Sequence, residues 1–217
     1  MKIDVEFVTS AAGASDFPRD APGEVALVGR SNVGKSSLIN ALVRQRLART
    51  SAAPGKTRLA NVYRIVRGKN APLYLVDLPG YGYARGGHQA AAEFDALTDA
   101  YFSRGTAGGI LLVDSRHPGL ASDVAGWQWL RTTAAAAAVV ATKIDKLSRA
   151  ERQRAHRAFE AVFEHPVLPV SAVTGEGLDE LWILIDTLAN NSRNSKPPRS
   201  SSLPRPTAPP PRRAPRR

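Results

Sequence analysis

The stretch that most limits what this chain can fold into is Gly29–Asn40, GRSNVGKSSLIN. It follows an apolar run, EVALV, that reads as a buried strand, and it leads into a helical pattern with Leu38, Ile39 and Leu42 on one side. Between them, Gly29, Arg30, Ser31, Asn32, Val33, Gly34, Lys35 and Ser36 fit G-x-x-x-x-G-K-[ST] throughout. Small residues let main-chain N–H groups converge on an anion. A helix starting near Lys35 adds the positive end of its dipole. Lys35 is placed to reach the β- and γ-phosphates, and the Ser36 hydroxyl suits Mg²⁺, a hard cation that takes oxygen ligands. An ordinary glycine-rich turn is the alternative, but the whole motif stands in the strand–loop–helix setting that phosphate binding requires.

The rest of the chain alternates strand and helix patterns. RLANVYRIV, PLYLVD, GGILLVDS, AAVVATKID and VLPVSA read as strands beside EVALVG. QAAAEFDALTDAYFSR, LASDVAGWQWLR, SRAERQRAHRAFEAVF and GLDELWILIDTLA read as helices. The expected fold is α/β: a mainly parallel six-stranded sheet with helices on both faces. The runs 59–67 and 72–77 are close enough for a hairpin, which predicts one antiparallel edge strand. The alanine run Ala134–Ala138 stays open between helix end and strand start. Asp4 and Glu6 stand where an export signal would need an apolar core, and the chain has no cysteine for disulfides or thiolate metal sites.

Three further pieces select the nucleotide. Asp77 ends the apolar strand of PLYLVDLPGYG, where an acid in a parallel sheet sits beside the phosphate loop and can hold Mg²⁺. Gly80 lacks a side chain, so its N–H can approach a γ-phosphate closely. Within TSAAPGKTRLAN, Thr57 is a candidate second hydroxyl for the metal, with Thr50 and Ser51 as alternatives, and Pro54 and Gly55 suit a loop that orders and releases. Thr142-Lys143-Ile144-Asp145 ends another strand. A carboxylate there accepts two parallel hydrogen bonds from guanine N1–H and its 2-amino group, a donor pair adenine lacks. The Lys143 stem can pack along the base. Further on, VLPVSA ends a strand with Ser171-Ala172, whose backbone N–H can meet guanine O6.

In order along the chain, GRSNVGKSSLINAL, PGKTRLAN, DLPGYGYA, DSRHP and TKIDK resemble the EngB family of ribosome-biogenesis GTP-binding proteins, among the TRAFAC GTPases with Era, EngA and TrmE. The resemblance implies a Ras-like P-loop GTPase domain and a nucleotide site made of 29–36, Gly55, Lys56, Thr57, Arg58, Leu59, Asp77, Leu78, Pro79, Gly80, 142–145 and 170–172. It implies GTP and GDP as ligands, Mg²⁺ on Ser36, Thr57 and Asp77, and catalysis by Lys35, Thr57 and Gly80. It further implies the precursor of the large ribosomal subunit, its RNA and proteins, as partner, in a bacterial cytoplasm ahead of an organellar matrix or stroma. Asn32 matches the position where some related GTPases bind K⁺; a purely structural loop asparagine is the alternative. Two positions depart from the general GTPase pattern. Thr142 stands in place of the common asparagine, and Tyr81 follows Gly80 where Ras-like enzymes carry a catalytic glutamine. A tyrosine cannot orient water as an amide does, so intrinsic hydrolysis is expected to be slow and accelerated by the ribosomal particle.

Charge divides the chain. The net charge is +11, yet residues 1–189 hold 22 bases against 19 acids, and eight bases with half of all prolines lie from residue 190 onward. A domain over 1–189 followed by a disordered basic tail, 190–217, is the expectation. The tail's bases suit RNA phosphates, or simply keep it solvated. Tyr81, Tyr83 and Arg85 could face RNA or ribosomal protein, or pack against the domain. His117 in DSRHP has no nucleophile pattern beside it and reads as structural, Trp127 as core, and Arg149, Arg152, Arg154 and Arg157 as an exposed helix face. A nucleotide-holding scaffold without turnover remains a competing reading; a small-molecule P-loop kinase is disfavoured by Asp145.

Overall fold

The computed structural model describes residues 2–18, 20, 23–48, 59–81, 87–105 and 107–194, with the side chains of 87–91 and 193–194 outside that description. In chain order the elements are β1 (Ile3–Ala11), β2 (Glu24–Gly29), α1 (Lys35–Val43), β3 (Ala60–Arg67), β4 (Leu73–Asp77), α2 (Gly87–Phe102), β5 (Ala107–Asp114), α3 (Ala121–Thr133), β6 (Ala136–Thr142), α4 (Arg149–Phe163), β7 (Val167–Pro169) and α5 (Leu178–Asn194). Single 3₁₀ turns occupy Ala14–Asp16 and Ile144–Lys146.

The strands form one sheet in the order β1-β3-β4-β2-β5-β6-β7. From β4 to β7 all neighbours are parallel, and β3 runs antiparallel to both β1 and β4. The sheet therefore has seven strands where six were expected, and the antiparallel strand is not at the edge. The hairpin of 59–67 and 72–77 is present as β3–β4, but β1 pairs along its outer side from Ile3↔Arg67 to Ala11↔Ala60, with a bulge between Phe7 and Thr9. Strand β1 is hard to read because Asp4 and Glu6 sit on its exposed positions, Ile3 and Val5 only lean on the core, and its one fully buried residue is the small Ala11. The alanine run resolves as strand from Ala136, with Ala134 capping α3.

Alternation along the buried strands supplies two cores, one per sheet face. Val25 and Leu27 of β2 meet Leu38, Ile39 and Leu42 of α1 and Leu181, Trp182 and Ile185 of α5. Ala26 and Val28 meet Tyr101 and Phe102 of α2, Trp127 and Leu130 of α3, and Phe159 and Phe163 of α4. Each such fully buried side chain contributes about 1.5–3 kcal/mol of transfer free energy. Helices thus cover both faces, and the C-terminal ends of β2, β4, β5, β6 and β7 open onto one rim, where ligands of open α/β sheets bind. The last helix continues past the expected boundary at Ala189. Ser192 is buried there, accepting the Glu24 amide at 3.3 Å and donating to the Ala189 carbonyl at 2.8 Å. The tail from 195 lies outside the described residues. Among the described residues no helix is long and apolar enough to cross a membrane.

Candidate nucleotide site

Strand β2 ends at Gly29, and the chain turns into α1 through Asn32, at φ 63°, and Gly34, at φ 113°. Gly34 caps the helix in a backbone conformation that side chains disfavour. The loop after β4 is stitched to this turn. The Leu78 amide donates to Leu27 O at 3.3 Å, the Tyr81 amide to Gly29 O at 3.2 Å, and the Ser31 amide to Tyr81 O at 3.1 Å. Gly80 fits so tightly that a Cβ there would lie 2.7 Å from the Ser31 nitrogen. Gly80, expected to approach a γ-phosphate, and the turn 29–36 are therefore in direct contact.

Lys35 and Asp77 face each other at the bottom of the turn. Burial is the larger influence on both: it lowers the lysine pKa and raises that of the aspartate, and their mutual attraction opposes each shift. The nearby Ser36 hydroxyl favours the ionised form of Asp77 and works in the same direction as Lys35. Asp77 Oδ1 is buried with no hydrogen-bond partner among the described residues. A desolvated carboxylate oxygen beside a hydroxyl is a costly arrangement unless something positive takes it. These oxygens fit a hard divalent cation.

The far end of the rim holds the residues expected to read the base. The Thr142 hydroxyl reaches Val33 O at 2.7 Å and Val113 O at 3.1 Å, so a threonine braces the phosphate loop where an asparagine is usual. Asp145 Oδ1 accepts from the Ser171 hydroxyl at 2.8 Å, and Lys146 stands 3.4 Å from Oδ2. Burial works to raise the Asp145 pKa, but Ser171 and Lys146 outweigh it, and the carboxylate sits below its ordinary range. Ser171 Oγ in turn accepts the amides of Val173 at 3.2 Å and Thr174 at 3.1 Å. The Ser171 amide is itself bonded to Glu176 O at 2.9 Å, which leaves the Ala172 amide as the one of the expected pair outside that bond. Ile144 and Val170 join the two loops, the Ile144 amide donating to Val170 O at 3.4 Å and the Val170 amide to Ala141 O at 2.8 Å.

The structure thus brings together Gly29, Arg30, Ser31, Asn32, Val33, Gly34, Lys35, Ser36, Asp77, Leu78, Pro79, Gly80, 142–145 and 170–172 on one rim. Gly55, Lys56, Thr57 and Arg58 lie outside the described residues, as do Tyr83 and Arg85; Leu59, just before β3, is exposed. Tyr81 is buried against α3, which decides its position in favour of packing. Trp127 is core, and His117 is an exposed loop residue whose amide donates to Asp114 O. Arg149, Arg154 and Arg157 are exposed on α4, and Arg152 pairs with Glu176 at 2.8 Å.

Three site residues went unread in the sequence. Asp114 binds Lys143, Asp123 binds Tyr81, and the Asn40 side chain anchors Leu47 and Ala48 just before the expected switch segment. Asp114 carried a usable signal, an acid closing a parallel strand next to the strand of Lys143, the same signal that marked Asp77.

Comparisons with known proteins agree with this geometry. A family model described as a 50S ribosome-binding GTPase matches residues 24–143, a little over half the chain. A probable GTP-binding protein EngB of Heliobacterium modesticaldum is 45% identical over 198 residues, spanning 88% of this chain and 95% of that protein. Its counterpart in Pelotomaculum thermopropionicum is 44% identical over 193 residues, spanning 85% and 96%. A crystal structure of a probable GTP-binding protein EngB superposes with TM-score 0.57 at 24% identity, covering 77% of this chain and 98% of that one. Aquifex aeolicus Era bound to GDP and AlF₄⁻ superposes with TM-score 0.67 at 23% identity, covering 77% and 56%. The turn 29–36 braced by Thr142 of β6, Asp145 anchored on Ser171 at the same rim, and these relatives lead to one conclusion: the chain belongs to the EngB family of GTP-binding proteins, and its folded body is a Ras-like GTPase domain.

Proposed function

We propose that this GTPase is an assembly factor for the large ribosomal subunit, binding its precursor in one nucleotide state and leaving it in the other, in a bacterial cytoplasm. The observation that carries the reading is the contact of Gly80 with Ser31, which lets a γ-phosphate be felt by the loop that ends in Tyr81. The family's description as 50S-binding supports the partner, and the bacterial relatives support the compartment.

Mg²⁺ would be held by Ser36 and, through water, by Asp77, with Thr57 closing the set in the GTP state; the metal supplies charge neutralisation at the phosphates. Lys35 and the loop amides position the triphosphate. Tyr81 is turned into the domain, so no side chain at that position orients the attacking water, and hydrolysis waits on the particle. Asn32 presents an exposed side chain beside the phosphate loop, where a K⁺ ion can add positive charge. The basic tail, counted from 190 in the sequence or from 195 by the end of α5, contacts ribosomal RNA.

Purified protein assayed with GTP, with and without large-subunit precursor particles, tests this. Strong stimulation is expected; turnover that stays negligible with particles present favours a scaffold that keeps nucleotide as a structural ligand. Equal rates in matched NaCl and KCl buffers would remove the potassium role. Unchanged particle affinity and salt slope after deleting 195–217 would remove the tail's.

A further inference from the structure

We infer that Asp114 is a positioning residue of the guanine site, acting through Lys143. Asp114 closes β5 and pairs in register with Thr142, so Lys143 leaves β6 immediately beside its carboxylate. Lys143 does so at φ 62°, a left-handed conformation that costs a residue with a side chain about 1–2 kcal/mol. Its ammonium is held at two points, 2.6 Å from Asn32 O and 3.0 Å from Asp114 Oδ2. Asn32 is left-handed as well, at φ 63°, so this one hydrogen bond joins two strained residues, one from each nucleotide loop.

The arrangement solves a physical problem. A lysine stem has four rotatable bonds, and fixing it costs about 2 kcal/mol of rotamer entropy. An untethered stem makes a poor floor for a flat base. Tied at its tip, it lies stretched over the phosphate loop, with Cε 3.6 Å from where a Cβ on Gly34 would stand. Asp114 is itself set in place by Arg116, which donates from Nε at 2.9 Å, Nη2 at 2.7 Å and its main-chain N at 3.1 Å. These bonds and Lys143 hold the carboxylate well below its ordinary range despite partial burial, so it is charged whenever nucleotide arrives. Asp145, which reads the base edge, is anchored separately on Ser171. Stem placement and edge reading thus have separate hydrogen-bonded anchors, and that separation is testable.

The test is the affinity and dissociation rate of GDP and of IDP, which lacks the 2-amino group, for Asp114→Asn, Lys143→Ala, the double variant and Arg116→Gln. Asp114→Asn should weaken both nucleotides by the same factor, about tenfold, leaving the GDP/IDP ratio at its wild-type value. The double variant should bind no more weakly than Lys143→Ala alone. Arg116→Gln, which frees the carboxylate from its fork, should speed GDP release two- to threefold. The inference is overturned by a wild-type release rate in Asp114→Asn, by a changed GDP/IDP ratio, or by effects of Asp114 and Lys143 that add in full. If Asp114→Asn does not fold, Arg116→Gln decides: unchanged GDP release overturns the assignment.

Discussion

The Tyr81 hydroxyl donates to Asp123 Oδ1 at 3.0 Å, in a site where the tyrosine is 6% exposed and the aspartate 2%. The bond ties the residue after Gly80 to the first turn of α3. Helix α3 leaves room for it at Gly126, where a Cβ would lie 2.9 Å from the phenol oxygen. Burial raises the Asp123 pKa to about 6, with Tyr81, Arg30 and His117 pulling it down and Asp114 pushing it up.

Tyr81→Phe keeps the ring and removes the donor, leaving a buried carboxylate without its partner. The expected loss is about 2 kcal/mol near neutral pH, read by urea unfolding. It should shrink near pH 5, where the carboxyl is protonated. A variant as stable as the wild type at neutral pH would mean the bond contributes nothing.

Asp123→Asn isolates the titration. The unfolded carboxyl loses its proton near 3.8 and the folded one near 6, so the folded state loses stability as pH rises through that window. The whole shift corresponds to about 3 kcal/mol, of which about 2 kcal/mol falls between about pH 4 and pH 6.5. Asparagine does not titrate, so the stability of the wild type relative to the variant should fall by about that amount across the same range. A flat difference would show that burial does not penalise the charge.

Gly80→Ala places a methyl against the Ser31 nitrogen, so the sensor loop must retreat from the phosphate loop. GTP hydrolysis should drop more than about tenfold while GDP affinity stays near wild type. Equal losses for both nucleotides would point to general damage instead.

Asp77→Asn removes the charge behind the unpartnered Oδ1. In the wild type, EDTA should speed GDP release; in the variant, release should already be fast and respond little to the chelator. Retained sensitivity to EDTA would place the metal's carboxylate elsewhere.

Thr142→Val deletes the brace on Val33 O while preserving shape. One lost hydrogen bond of about 1 kcal/mol should raise the GDP dissociation rate about fivefold, measured with a fluorescent analogue.

The phosphate loop, Asp77 and Asp145 were legible because each depends on residues a few positions apart at the end of an apolar run. The hairpin of β3 and β4 was legible for the same reason. Strand β1 was not: its exposed positions carry Asp4 and Glu6, and its partner β3 comes some fifty residues later. Nor was Asp123, which meets Tyr81 across 42 positions with no local pattern to join them. The end of the last helix was not legible either: the boundary near Ala189 rested on the polar, proline-rich composition that follows, whereas the docking of Ser192 on Glu24 carries α5 on to Asn194. Local chemistry can be read in one dimension; contacts made by tertiary closure cannot.

The pairing of β1 with β3 also sets an order of events as the chain is synthesised. Strand β1 has no sheet neighbour until Arg67 has followed it, so it stays unpaired while β2 and α1 are made. Once β3 arrives, a single zippering step seals the outer row of β3 amides and carbonyls against other molecules. Trimming the leading eleven residues would leave that row bare, and the shortened protein should self-associate through it, even with every nucleotide-contacting side chain intact.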